Sequence, residues 1–117
     1  MAVKDNWANI DKFQGRPGCT RRVFSGKRSM MVLNEIMPSA EPNLHSHPHE
    51  QLTYIIEGSA EFILGEEVLK LVEGDVILVP PNIPHSLKVT SNSPVLNLDV
   101  FTPIRDDYIT SDIKKFR

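Results

Sequence analysis

Four histidines stand in this sequence, and three of them fall within five residues: His45, His47 and His49, with His85 following a proline-rich turn. Imidazole is the commonest metal ligand among side chains and binds only when neutral, so a site built from these residues weakens in acid. In an extended segment, residues two apart project to one face with Cα atoms about 6.6 Å apart, which lets His45 and His47 converge on one ion. Gln51 shares that parity and can add an oxygen if the chain stays extended. His85 opens the run His85-Ser86-Leu87-Lys88-Val89, whose alternation sets His85, Leu87 and Val89 on one face. A histidine-rich exposed loop also explains the cluster, since Ser46, Pro48 and Glu50 are ordinary loop residues. It leaves His85 without a role. Pro48 interrupts the strand geometry before Gln51, which makes His49 a supporting or pocket-lining residue and turns Glu50 outward.

The elements that must position these groups are short. Nine prolines and six glycines punctuate 117 residues, with turn signals at Arg16 to Gly18, Ser25 to Lys27, Pro38 to Pro42, Glu57 to Ser59, Gly65 to Glu67, Glu73 to Asp75, Pro80 to Pro84 and Ser91 to Pro94. Between them lie runs rich in Val, Ile, Leu, Tyr and Phe: Arg28 to Ile36, Gln51 to Ile56, Ala60 to Leu64, Val76 to Val79, Ser86 to Val89 and Val95 to Phe101. Many short strands without a helical period predict an all-β antiparallel sandwich or barrel. Met1 to Phe13 has room for a helical turn or two, with Trp7 anchoring the segment on the barrel, and the tail from Asp106 to Arg117 is too polar to join the core. Tyr54 and Ile56 are expected as packing residues, and Cys19 as an inert thiol.

Composition narrows the function classes. The chain fits one domain, 40% hydrophobic and 24% charged, which suggests neither disorder nor a membrane protein. Lys+Arg 13 against Asp+Glu 15 leaves a net charge of -2, with no basic excess to drive nucleic-acid binding. One cysteine excludes an internal disulfide framework and an all-cysteine metal site. The first residues carry no apolar stretch of signal-peptide type, and no run approaches the ~20 apolar residues of a membrane helix, so a cytoplasmic protein is expected.

His45-Ser46-His47, then Gln51, then Gly58 matches the first motif of the cupin superfamily, a histidine pair followed by an acidic ligand and a glycine. The run Gly74 to His85, through Pro80-Pro81-Asn82-Ile83-Pro84, matches the second motif. Gln51 stands where most cupins have glutamate, and Asn82 at the turn glycine, a position asparagine tolerates. The resemblance covers His45 to Phe101 and implies a jelly-roll barrel, the double-stranded β-helix, over the whole chain 1–117. Its conserved core spans about 28–103, flanked by an N-terminal segment and a short tail. A fold shared by isomerases, dioxygenases, binding modules and storage proteins does not fix a function.

Four stretches, namely Arg28 to Ile36, His45 to Gln51, Pro80 to His85 and Asp99 to Arg105, are also similar to the small pectin-degradation cupins of the KdgF type. That resemblance implies His45, His47, Gln51 and His85 as ligands of one divalent ion, with Asp99, Phe101 and Arg105 facing the substrate. The implied reaction converts 4,5-unsaturated monouronates from pectin and alginate breakdown to linear 4-deoxy-5-keto uronates. Three neutral imidazoles and a neutral amide leave the ion's +2 charge uncompensated, which favours an anionic sugar acid. Ligand type admits Ni, Fe, Mn, Co or Zn without choosing among them. The site then needs a proton-transfer group from elsewhere, and Asp99 is the best candidate. Parity alone argues the other way, because Leu96, Leu98 and Val100 would take the interior and leave Asn97 and Asp99 solvated. If Asp99 faces the metal, that apolar face needs another cover, which motivates a homodimer. Arg105, beside Asp106 and Asp107, also fits a surface ion pair. The alternatives are an iron-dependent dioxygenase and a small-ligand-binding module without catalysis.

Overall fold

The computed structural model describes residues 2–109. Nine strands follow a short 3-10 turn at Trp7–Asn9: β1 (Phe13–Gln14), β2 (Cys19–Ser25), β3 (Met30–Ile36), β4 (Glu50–Glu57), β5 (Ala60–Leu64), β6 (Glu67–Leu71), β7 (Val76–Val79), β8 (His85–Val89) and β9 (Val95–Thr102). They form two antiparallel sheets, one in the order β1-β2-β3-β9-β4-β7 and one in the order β6-β5-β8. Two facing antiparallel sheets with these crossovers make the jelly-roll barrel. The long-range pairing of β9 between β3 and β4 brings the C-terminal strand to the centre of the larger sheet. No helix among the described residues is long and apolar enough to cross a membrane.

Turn chemistry sets several corners. Gly58 takes φ 85, and a Cβ there would lie 2.9 Å from the carbonyl oxygen of Pro94, so glycine allows both the turn and the close approach. Asn82 takes φ 65, the left-handed angle expected of an asparagine at this turn.

The barrel interior is divided along the strands. One apolar cluster holds Ile36, Ile55, Phe62, Leu71, Val79 and Val95, and a second holds Val23, Met30, Val32, Phe101 and Ile104. On β9 the inward residues run from Val95 in the first cluster to Phe101 in the second, with Asn97 and Asp99 between them. Register repeats this on the neighbours: Asn97 lies opposite Asn34 on β3, and Asp99 opposite Thr53 on β4. A band of polar side chains therefore crosses the inside of the large sheet between two apolar caps.

Two expectations about the outside are corrected. The tail is not wholly apart from the core, since Tyr108 and Ile109 pack against the second cluster; residues 110–117 lie outside the described residues. Tyr54, expected to pack, is 41% exposed on the outer face of β4. The N-terminal turn is tied to the barrel by Arg22, whose Nη1 donates to the carbonyl oxygens of Trp7 (3.1 Å) and Ile10.

Candidate metal centre

Pairing outside the main strands aligns the histidines. His45 forms an isolated bridge with His85, each backbone N–H donating to the other's carbonyl (3.1 and 2.8 Å), and the amide of Asn82 donates to the carbonyl of His47 at 2.7 Å. The segment carrying His45 and His47 is thus clamped along the turn that precedes β8, rather than lying in a strand of its own. One nitrogen from each of His45, His47 and His85 lies within 4.8 Å of the others. His47 and His85 are buried and His45 partly so.

Hydrogen bonding fixes the tautomer of all three rings. Nδ1 of His45 faces the carbonyl of Asn43 (2.7 Å), Nδ1 of His47 that of His49 (3.1 Å), and Nδ1 of His85 that of Ile83 (2.9 Å). A carbonyl only accepts, so each Nδ1 carries the proton and each Nε2 presents a lone pair. This arrangement, in which the outer nitrogen is anchored to backbone, is what orients a metal-binding imidazole. Burial holds His47 below the usual histidine range and brings His85 down to about 4, so both are neutral near pH 7.

Two details show that the donor set suits a cation. Nε2 of His85 is buried with no hydrogen-bond partner. Nε2 of His47 lies 3.0 Å from Oε1 of Gln51, which sets two lone pairs against each other. Turning the Gln51 amide over only moves the conflict to its other side. Thr53 Oγ1 already donates to Asp99 Oδ1 at 2.7 Å, so it has no proton left for a glutamine oxygen. In the present orientation Nε2 of Gln51 donates to Thr53 Oγ1 (2.8 Å) and to Asp99 Oδ1 (3.3 Å), and Oε1 is left aimed at the histidines. A divalent ion satisfies the converging acceptors, and these residues fit one.

Asp99 stands inside the barrel, partly buried, which corrects the reading from parity alone. Its Oδ1 accepts from Thr53, Asn97 (2.9 Å) and Gln51, and its Oδ2 from Asn34 Nδ2 at 2.8 Å. Burial pushes its carboxyl above the ordinary aspartate range, while those four donors oppose the rise. Phe101 is buried and sets its ring edge-on to His47 at 5.6 Å and to His49 at 6.3 Å, and Phe62 stacks on His85 at 5.9 Å. His49 supports the cluster through its backbone carbonyl, and its own ring lies 5.4 Å from that of His47. Arg105 is in a surface-type ion pair and also lines the pocket. It bridges Asp107 through two bonds, Nε at 3.2 Å and Nη2 at 2.7 Å, and its Nη1 donates to the Tyr108 hydroxyl at 3.0 Å.

Of these side chains, His45, Gln51, His85, Asp99, Phe101 and Arg105 line one pocket that is open to solvent. Sequence reasoning missed Thr53 and Asn34, which hold Asp99 and Gln51, and Arg16, Arg21 and Tyr108, which line the pocket. Thr53 shares the parity of Gln51, and Asn34 is an amide that follows the apolar run Met30 to Leu33 on β3. Those signals were available.

Known proteins agree with this architecture. Residues 32–101 match the family model described as "Cupin domain". The structure of KdgF from a Halomonas species superposes with a TM-score of 0.85 at 26% identity, covering 93% of this chain and 100% of that one. An RmlC-like cupin from Shewanella frigidimarina gives a TM-score of 0.84 at 24% identity, covering 93% and 97%. An uncharacterized protein of Methanocaldococcus jannaschii is 27% identical over 74 residues, 62% of this chain, and the aligned part spans 59% of that relative's length.

Proposed function

Because the chain belongs to the cupin domain family, and because its pocket joins a three-histidine cluster to a partly buried aspartate, we propose that it is a metal-dependent enzyme acting on small unsaturated uronic acids. The reaction is ring opening and ketonisation of a 4,5-unsaturated monouronate to a linear 4-deoxy-5-keto uronate. The observation that carries this reading is the convergence of three imidazole lone pairs and the Gln51 oxygen beside Asp99. The structural likeness to KdgF supports the choice of substrate class.

The conversion is an isomerisation. The C1 hydroxyl gives up its proton and becomes the aldehyde as the bond from C1 to the ring oxygen breaks; that oxygen takes up a proton as the enol on C5, and the enol proton then moves to C4 as the C5 ketone forms. No oxidant is consumed. A divalent ion held by His45, His47, His85 and Gln51 would supply Lewis-acid stabilisation of negative oxygen. Asp99 is the group that takes the proton from oxygen and returns it to carbon; its four donors fix the carboxylate's position while burial raises its proton affinity. Phe101 holds the His47 ring and closes the pocket wall, and Arg105, paired with Asp107, lines the same pocket.

The same reading includes a homodimer. Leu52, Tyr54, Val76, Leu78, Leu98 and Val100 form an apolar patch on the outer face of β4, β7 and β9, which a two-fold copy of the same patch would cover. A stable interface buries about 800 Å² per partner, and these residues would form its apolar centre.

The deciding assay follows loss of ultraviolet absorbance from freshly prepared 4,5-unsaturated galacturonate. Loss above the spontaneous rate, abolished by chelation and restored by a divalent metal, is the expected result. No acceleration by the metal-loaded protein removes the uronate assignment. Oxygen consumption with an electron-rich substrate would replace it with the dioxygenase reading.

A further inference from the structure

Three guanidiniums face the pocket, and they are not equivalent. Arg105 has its charge answered by the two-bond bridge to Asp107. Arg16 and Arg21 have no carboxylate partner among the described residues. Arg16 Nη1 donates to the sulfur of Cys19 at 3.0 Å, and Arg21 lies over the rings of Tyr108 (4.0 Å) and Phe13 (5.9 Å). The Nε of each is buried without a hydrogen-bond partner. A buried donor left unpaired is costly, and more so on a charged group.

The setting of Arg21 is built. Residue 15 is glycine, and a Cβ there would fall 1.8 Å from Nη2 and 2.6 Å from Cζ of Arg21, so the guanidinium occupies the space a side chain would fill. Tyr108 carries Arg21 and Arg105 each 4.0 Å from its ring centre. Two like charges thus share one ring, and only one of them has a counter-ion among the described residues.

The geometry points to Arg16 and Arg21 as an anion subsite, separate from the histidine cluster but opening into the same pocket, which takes the carboxylate of a small organic acid. Gly15 is its positioning residue. Planar guanidinium donors match a carboxylate in both shape and charge. This deepens the reading of the pocket as a sugar-acid site: the acid end of the ligand goes to Arg16 and Arg21, and Arg105 is occupied by Asp107.

Calorimetric titration of the protein, with and without added zinc, using D-galacturonate and its neutral methyl ester tests this without any turnover. The wild type is expected to favour the acid by about tenfold or more. Arg21→Gln removes that preference, and Gly15→Ala does so by moving a guanidinium at the flexible end of its side chain, with zinc content and thermal midpoint unchanged in both. Arg105→Gln has the smaller effect. A wild type that binds neither compound, or both equally, overturns the subsite. So does a preference that survives in both Arg21→Gln and Gly15→Ala, or one that Arg105→Gln alone abolishes. If the acid preference depends on Arg21 while unsaturated uronates are not turned over, the subsite stands and the uronate reaction falls.

Discussion

The two faces of β9 invert the usual rule. Its inward residues include Asn97 and Asp99, and its outward residues are Leu96, Leu98 and Val100. On β7 the interior instead carries Val79 and Ile77, and the outer residues Val76 and Leu78 are 71% and 51% exposed. One strand spends its interior face on chemistry and the other on packing, while both leave apolar side chains outside. A barrel that encloses a site cannot be oriented strand by strand from polarity. The polar inner band survives because each member is bonded: Asn34, Thr53, Asn97 and Gln51 all donate to Asp99.

The sharpest way to break the inner face is to remove a ligand. His85→Ala or His47→Ala is expected to lower metal affinity by about 100-fold or more, read as zinc per chain after dialysis. Next comes Asp99→Ala, expected to cut turnover by about 10²–10⁴-fold with metal content retained. Full activity in that variant would end the proton-transfer role.

Acid acts on the same face more gradually. Burial lowers the folded-state pKa of His85 to about 4 and that of His47 in the same direction, against 6.5 when unfolded. Between those values the unfolded chain binds protons that the folded one does not. Stability of the metal-free protein should therefore fall as pH drops from 6.5 toward 4, by at most about 1.4 kcal/mol per pH unit for each imidazole. A denaturation midpoint that is flat across this window would contradict the buried neutral assignment.

The outer face should respond least in the monomer. Val76→Asp is expected to shift unfolding stability by only about 0.5 kcal/mol while dissociating the proposed dimer in light scattering, with metal content untouched. A wild type that scatters as a monomer at working concentration would leave the face unpaired.

Much of this was legible in the residues. The six strands expected from apolar runs are all present, and β5 and β7 have the expected ends. The histidines converge as their spacing implied. What stayed hidden has physical causes. On β2 the inward positions run Cys19, Arg21, Val23 and Ser25, so a pocket-facing arginine breaks the alternation. On β6 Val68, Leu69 and Leu71 are all apolar but only Leu71 is buried, so the apolar residues do not mark one inward face. The orientation of β9 depended on polar partners contributed by β3 and β4, which no single strand displays.

The hydroxyl of Thr53 has one proton, and Asp99 holds it. That makes the link from Gln51 through Thr53 to Asp99 directional, like a wire with a diode in it. Serine at residue 53 would conduct the same way. Valine would leave only the 3.3 Å bond to Asp99 to hold the Gln51 amide, making it easier for the amide to turn its NH₂ to the imidazoles and replace a ligand with a repellent. In any selection for metal retention, residue 53 should be nearly as constrained as the histidines, although it never touches the ion.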